Sequence, residues 1–228
     1  MAAQTGPMAD VRDMYMVHGM FRREFGLLPE LVRGVAEGDK ERAKVVGAHT
    51  DLLCRILHAH HGGEDALLWP RLQERGGQEA LGLVAAMEGQ HQAIEETLER
   101  VTGLLPEWWA TARNGAELAE VFDGLLLLLT EHMAVEERDV LPLAEKHITA
   151  AEWKGLGDHG RDVFAKKEFP LCFGLMMYEG DPEVVKSVLE DAPLPVRVLV
   201  PRIAPRVFAS HSKRVHGTAT PPRATTRT

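Results

Sequence analysis

Apolar residues recur every three or four positions through most of the chain, the spacing of helices that bury one face. Between Asp10 and Leu28 the stripe is Met14, Val17, Phe21, Phe25 and Leu28, and Pro29 is expected to interrupt it. A second helix is predicted from Asp39, its cap, through Val46, Leu53, Leu57, Leu67 and Leu68 to about Glu74, where Gly76-Gly77 ends it. A third runs from about Gln78 to Trp109 on Val84, Met87, Ile94, Leu98, Val101 and Leu105. Asn114-Gly115 turns the chain into a fourth, from about Ala116 to His147, with Leu125, Leu128, Val135, Val140 and Leu143 facing inward. No stretch alternates apolar and polar residues as a half-buried strand does. Four long amphipathic helices on short links predict an all-α fold, an antiparallel up-down four-helix bundle over residues 10–148.

The pattern changes after the fourth helix. Thr149 and Glu152 have the spacing of a capping box, which predicts a shorter helix to about Lys167. Beyond Phe169 the chain is rich in Pro, Met and Val, with short helices predicted at 171–179, 182–190 and 194–210. Residues 149–216 therefore read as a C-terminal helical extension packed on the bundle, and 217–228 as a disordered tail. Residues 1–9 read as disordered too.

Composition and charge narrow the class. The longest purely apolar run, Leu125 to Leu129, is far short of the roughly 20 residues that span a membrane. The first ten residues lack the basic start and apolar segment of a secretory signal. Two cysteines, Cys54 and Cys172, sit in no CxxC motif and are expected as buried thiols of a cytoplasmic protein. Seven Arg and Lys follow Asp191 with no acid among them, leaving −15 on the rest of a chain whose net charge is −8. With few aromatics for base stacking, that basic end is expected to lie against its own acidic bundle rather than on nucleic acid or a membrane.

The apolar stripes have polar interruptions. An eleven-residue pattern of His, three residues, Glu, an acid, two apolar residues and Pro occurs at His60–Pro70 and, altered, at His132–Pro142. Residues four apart share a helix face, so His60 and Glu64 point one way, as do His132 and Glu136. A third such pair, His91 and Glu95, lies on the third helix, and His18 is in line with the inward stripe of the first. Buried carboxylates and imidazoles need a partner, and metal ions supply the missing charge. Mixed imidazole and carboxylate ligands without thiolate suit iron, manganese or zinc. A core laced with His–Glu hydrogen bonds is the alternative.

His18, His60-x-x-x-Glu64, His91 and His132-x-x-x-Glu136 resemble the H–HxxxE–H–HxxxE pattern of the hemerythrin-like (HHE cation-binding) family over residues 10–148. The segment beyond 150 is similar to the extension of longer actinobacterial-type members. The resemblance implies two iron ions with His18, His60, His91 and His132 as terminal ligands. Glu64 and Glu136 would be bridges, an oxo or hydroxo group would complete the bridging set, and an open position would take O2, H2O2 or NO. His61, Glu95 and Glu137 are further candidates, as ligands or as partners that orient a ligand. The oxygen-carrying members have a His where this chain has Glu95, and a carboxylate in that place would favour the ferric state. The implied function is therefore reaction with peroxide or dioxygen, as catalase-like disproportionation in oxidative stress defence. The alternative is a non-enzymatic sensor or binder of O2, NO or iron.

Overall fold

A computed structural model describes residues 6–162, 164–190 and 192–224. Among them the chain is all-helical, with one isolated antiparallel bridge between Met8 and Thr149. Ten α-helices follow in order: α1 Arg12–Arg33, α2 Lys40–Gly63, α3 Trp69–Arg75, α4 Gly77–Thr111, α5 Gly115–Val135, α6 Leu141–His147, α7 Ala150–Asp162, α8 Phe169–Met177, α9 Pro182–Glu190 and α10 Leu194–His216. Two π-helical turns, Glu64–Leu68 and Glu136–Val140, run α2 into α3 and α5 into α6 without a break.

Pro29 does not interrupt the first helix. It is buried inside α1, which continues to Arg33 and closes at Gly34. A proline removes one backbone bond, but the packing of Leu28 and Val32 in the core holds the helix together beyond it. The caps behave as their sequence predicts: Asp39 accepts from the Arg42 amide at 3.0 Å. Thr149 and Glu152 exchange hydrogen bonds at the start of α7, with Glu152 also receiving Arg75. The turn between α4 and α5 is made by Ala112 and Asn114, both left-handed.

Helices α1, α2, α4 and α5 each pack on two of the others: α1 on α2 and α5, and α4 on α2 and α5. Their buried faces form two apolar clusters. One holds Phe21, Phe25, Leu53, Leu57, Ile94, Leu98, Phe122 and Leu129. The other holds Met14, Leu68, Trp69, Leu72, Met87, Val140 and Leu141. Along α1 and α4 the chain leaves the Met14 and Met87 cluster for the Phe21 and Ile94 cluster; along α2 and α5 it crosses in the opposite order. At each crossing it passes a histidine: His18, His60, His91 or His132.

The C-terminal helices lie on this framework. Helix α7 contacts α2 and the first π turn, α8 and α9 contact α1, and α10 contacts α8 and α2. Of the 217–228 segment, residues 217–224 are tied to the end of α8, where Tyr178 Oη donates to the Pro221 carbonyl and the Ala224 amide to Glu179. Residues 225–228 and 1–5 lie outside the described residues. Cys54 and Cys172 are buried free thiols, and burial pushes the Cys54 thiol up to about 12. None of the described helices is long and apolar enough to cross a membrane.

Candidate metal centre

Glu64 and Glu136 occupy equivalent places, each the first residue of a π turn. Each turn runs into a proline. Pro70 and Pro142 have no N–H to give, and their rings would collide with the carbonyls four residues back, those of Ala66 and Arg138. Widening by one residue relieves both problems: the Trp69 amide reaches back to the Glu64 carbonyl, and the Leu141 amide to the Glu136 carbonyl. The two carboxylates are thereby fixed in the layer between the apolar clusters, and both are fully buried.

Seven side chains meet there. Nitrogens of His61, His91 and His132 converge with an oxygen of Glu64, and nitrogens of His18 and His60 with an oxygen of Glu136, each group within 4.8 Å. The carboxylates touch both groups. Glu64 places Oε1 3.1 Å from His60 Nε2 and Oε2 3.3 Å from His91 Nε2. Glu136 Oε2 lies 3.1 Å from His18 Nε2 and 3.5 Å from His132 Nε2. The rings crowd closely, with His61 stacked on His91 at 4.1 Å between centroids.

None of these contacts has hydrogen-bonding geometry. The Nε2 atoms of His18, His60, His61, His91 and His132 and all four oxygens of Glu64 and Glu136 are buried without a hydrogen-bond partner. An uncompensated buried carboxylate costs several kcal/mol, and buried polar atoms are nearly always paired. Nine orphaned atoms aimed at one layer are a donor set for cations of a mixed imidazole and carboxylate kind. The residues present therefore fit a metal centre, and a core of mutual His–Glu hydrogen bonds does not describe them.

The opposite sides of three rings are held. His18 Nδ1 lies 2.8 Å from Glu137, which also receives Arg22 at 2.7 Å. His91 Nδ1 lies 2.7 Å from Asp65, and His132 Nδ1 3.3 Å from Gln90. Such outer partners fix which ring nitrogen carries the proton and leave Nε2 free to ligate. The metal-free charges are accordingly strained. Burial and the nearby Glu136 carboxylate raise Glu64 to about 8. Burial opposes the cation at His18 and at His91, but Glu136 and Glu137 around the first, and Asp65 and Glu64 around the second, override it and raise both to about 9. Burial lowers His132 to about 3 and takes His60 and His61 well below their ordinary value. Glu137 falls to about 2: burial resists, and His18 and Arg22 prevail.

Of the residues singled out from sequence, His18, His60, Glu64, His91, His132 and Glu136 are brought together, with His61 among them and Glu137 behind His18. Glu95 is a correction. Its side chain is 46% exposed and faces His58 Nδ1 at 3.1 Å, away from the layer. Four residues after His91 it stands a full turn further along α4 and 40° round, where Ile94 and Leu98 hold the inward side. Glu95 thus adds no carboxylate to the layer, whose fifth imidazole comes from His61 on α2. Neither tyrosine of the chain lies in the layer: Tyr15 is exposed and Tyr178 donates to the Pro221 carbonyl. Gln90 carries no sequence signal, and its role becomes visible only through packing.

Residues 9–144 match the model of the hemerythrin HHE cation binding domain. The chain is similar to the iron-sulfur cluster repair protein YtfE of Citrobacter koseri, 26% identical over 158 residues that cover 62% of this chain and 68% of that one. The proteins of the same name from Escherichia coli and Escherichia fergusonii are 25% identical over the same shares. No solved structure matches.

Proposed function

The chain belongs to the hemerythrin HHE cation-binding family, and on that premise we propose that it is a non-haem di-iron protein that reacts with hydrogen peroxide or dioxygen. The observation that carries the reading is the set of nine orphaned donor atoms. His18, His60, His61, Glu64, His91, His132 and Glu136 would hold the irons. The four long helices form the antiparallel up-down bundle that presents them; their alternating passage between the two apolar clusters supports this.

A pair of irons bound there supplies two-electron exchange with peroxide or dioxygen. The residues do the rest. The group with two imidazoles offers fewer protein ligands than the group with three, so the His18 and His60 side is where a small molecule would find room. Phe21, 5.3 Å from the His60 ring, keeps that side apolar and excludes bulk water. Glu137, half-buried and anchored by Arg22, holds the proton of His18 Nδ1 and joins the layer to solvent. Disproportionation balances without an outside reductant. One H2O2 gives O2, two protons and two electrons, and a second takes these up to form two waters. Protein loaded with iron under argon and then given peroxide is expected to release O2 faster than the same free iron, and His60→Ala protein is not. Equal release from the variant would overturn the activity.

The relatives named for iron-sulfur cluster repair and the seat of α7 favour a second reading, a sensor or binder of O2, NO or iron. His159 of α7 lies over Gly63, 3.3 Å from where a Cβ would stand, next to the Glu64 turn. A change in the centre would thus reach the C-terminal helices. Proteolysis of residues 150–216 that differs between loaded and metal-free protein, with no O2 release, is the result this reading expects; identical digestion contradicts it.

A further inference from the structure

A second convergence of imidazole and carboxylate lies apart from the central layer and joins three distant parts of the chain. Glu24 of α1 and His49 of α2 are fully buried, and His216, the last residue of α10, is nearly so. His49 Nε2 and His216 Nε2 lie 3.0 and 3.1 Å from the same oxygen, Glu24 Oε2. One ligand atom from each of the three sits within 4.8 Å of the others.

The surroundings prepare that oxygen and those nitrogens. Arg23 Nε holds the other oxygen, Glu24 Oε1, at 2.7 Å, so the carboxylate presents a single free edge. His211 Nε2 lies 3.0 Å from His49 Nδ1 on the far side of the ring, the kind of outer partner that a metal-ligating histidine has. Gly217, in a left-handed conformation at φ 75°, stops α10 directly after His216. Ser212 Oγ then pins the reversed chain by donating to the Thr218 carbonyl at 2.8 Å. With its imidazoles neutral, the cluster carries one net negative charge, since Arg23 faces both Glu24 and Glu179.

One difference from the central layer is decisive. Here the N–H groups of His49 and His216 point at Glu24, so the cluster is satisfied as a hydrogen-bonded clasp. Taking up a cation needs only changes of tautomer: His49 and His216 move their protons from Nε2 to Nδ1, and His211 moves its own from Nε2 to Nδ1, so that His49 donates to His211 instead of accepting from it. No proton leaves the cluster. Two imidazole nitrogens and one carboxylate oxygen are a complete protein set for a zinc-type divalent ion whose remaining position is filled by water.

We propose that Glu24, His49 and His216 form an exchangeable divalent-cation site that locks the C-terminal helix onto the bundle. It is independent of the central layer. The site fills after the centre, because it must first give up its own hydrogen bonds, and filling it fastens α10 to α1 and α2.

The test compares metal-stripped full-length wild type with His216→Gln, which keeps an N–H donor near the place of Nε2 but offers no imidazole nitrogen. After equilibration with excess Zn2+ and gel filtration, wild type is expected to retain about one zinc equivalent more than His216→Gln, with equal helicity by circular dichroism. Equal zinc in the two folded proteins would overturn the proposal. A measurement on wild type alone stands beside it, in case the variant fails to fold. Trypsin cleavage within α10 is expected to slow as the last zinc equivalent binds, and cleavage unaffected by zinc would equally overturn it.

Discussion

Each of the nine orphaned atoms of the centre poses the same energetic problem, a polar group out of water with nothing to bond. In the metal-free protein protons are a partial answer, and they are held best at low pH. Glu64 is raised to about 8 by burial and Glu136, so its contribution to metal-free stability is present at low pH and lost as pH rises through 8. His18 and His91, raised to about 9, contribute below the ordinary histidine range and lose that contribution as pH rises through 9. All three push one way. His132, lowered to about 3, pushes the other way only on the acid side. The melting temperature of metal-free protein is therefore expected to fall by on the order of 5 °C between pH 7 and 9.5, while that of iron-loaded protein does not. Calorimetry of the two forms checks this, and parallel curves would contradict it.

Residues behind the ligands give a second expectation. Asp65→Ala and Glu137→Ala remove the acceptors of His91 and His18 Nδ1 and should weaken metal binding by about 10–100-fold. Glu95→Ala, on the surface with His58, should leave it unchanged in the same chelator competition. His18, the two HxxxE pairs and His91 were legible because helical spacing aligns them with apolar stripes. Glu95 and His61 were legible only as candidates between which spacing does not choose. Both lie beside a ligand in the helical lattice, and which neighbour turns inward depends on how α4 and α2 rotate against each other, a property of packing rather than of spacing.

Among the elements, the π turns decide where the carboxylates sit. Hydropathy reads α2 to α3 and α5 to α6 as unbroken helices, which they are, but one inserted residue is invisible to a three-to-four spacing. The eleven-residue repeat ending in Pro70 and Pro142 held the clue. A proline leaves one carbonyl of the preceding turn without its N–H, and at Pro70 and Pro142 the chain widens by one residue just before it. Pro70→Ala restores the missing N–H and lets the turn relax to an α-helix, rotating Glu64 away from His91. The variant is expected to melt no lower than wild type when metal-free, yet to bind metal at least about tenfold more weakly. Loss of stability without loss of metal affinity would show that the bulge has another cause.

The whole molecule is a polar layer between two apolar clusters, with a helical extension laid along its outside. The layering was readable, because the stripes name the core and the histidines name the interruption. The course of residues 150–216 was readable only as a string of short helices. What fastens them is a set of contacts between distant positions, such as Arg23 to Glu179 and the Leu175 carbonyl, that no local pattern announces. The proposed two-iron site belongs to this scale, because its seven side chains come from all four long helices and the π turns that follow two of them. It is tested most directly by counting iron in protein loaded under argon, oxidised and freed of excess metal, with the absorption spectrum recorded on the same sample. About two irons per chain and near-ultraviolet bands of a coupled ferric pair are expected, both lost in His61→Ala. A single iron, or two irons retained in full by His61→Ala, would contradict it.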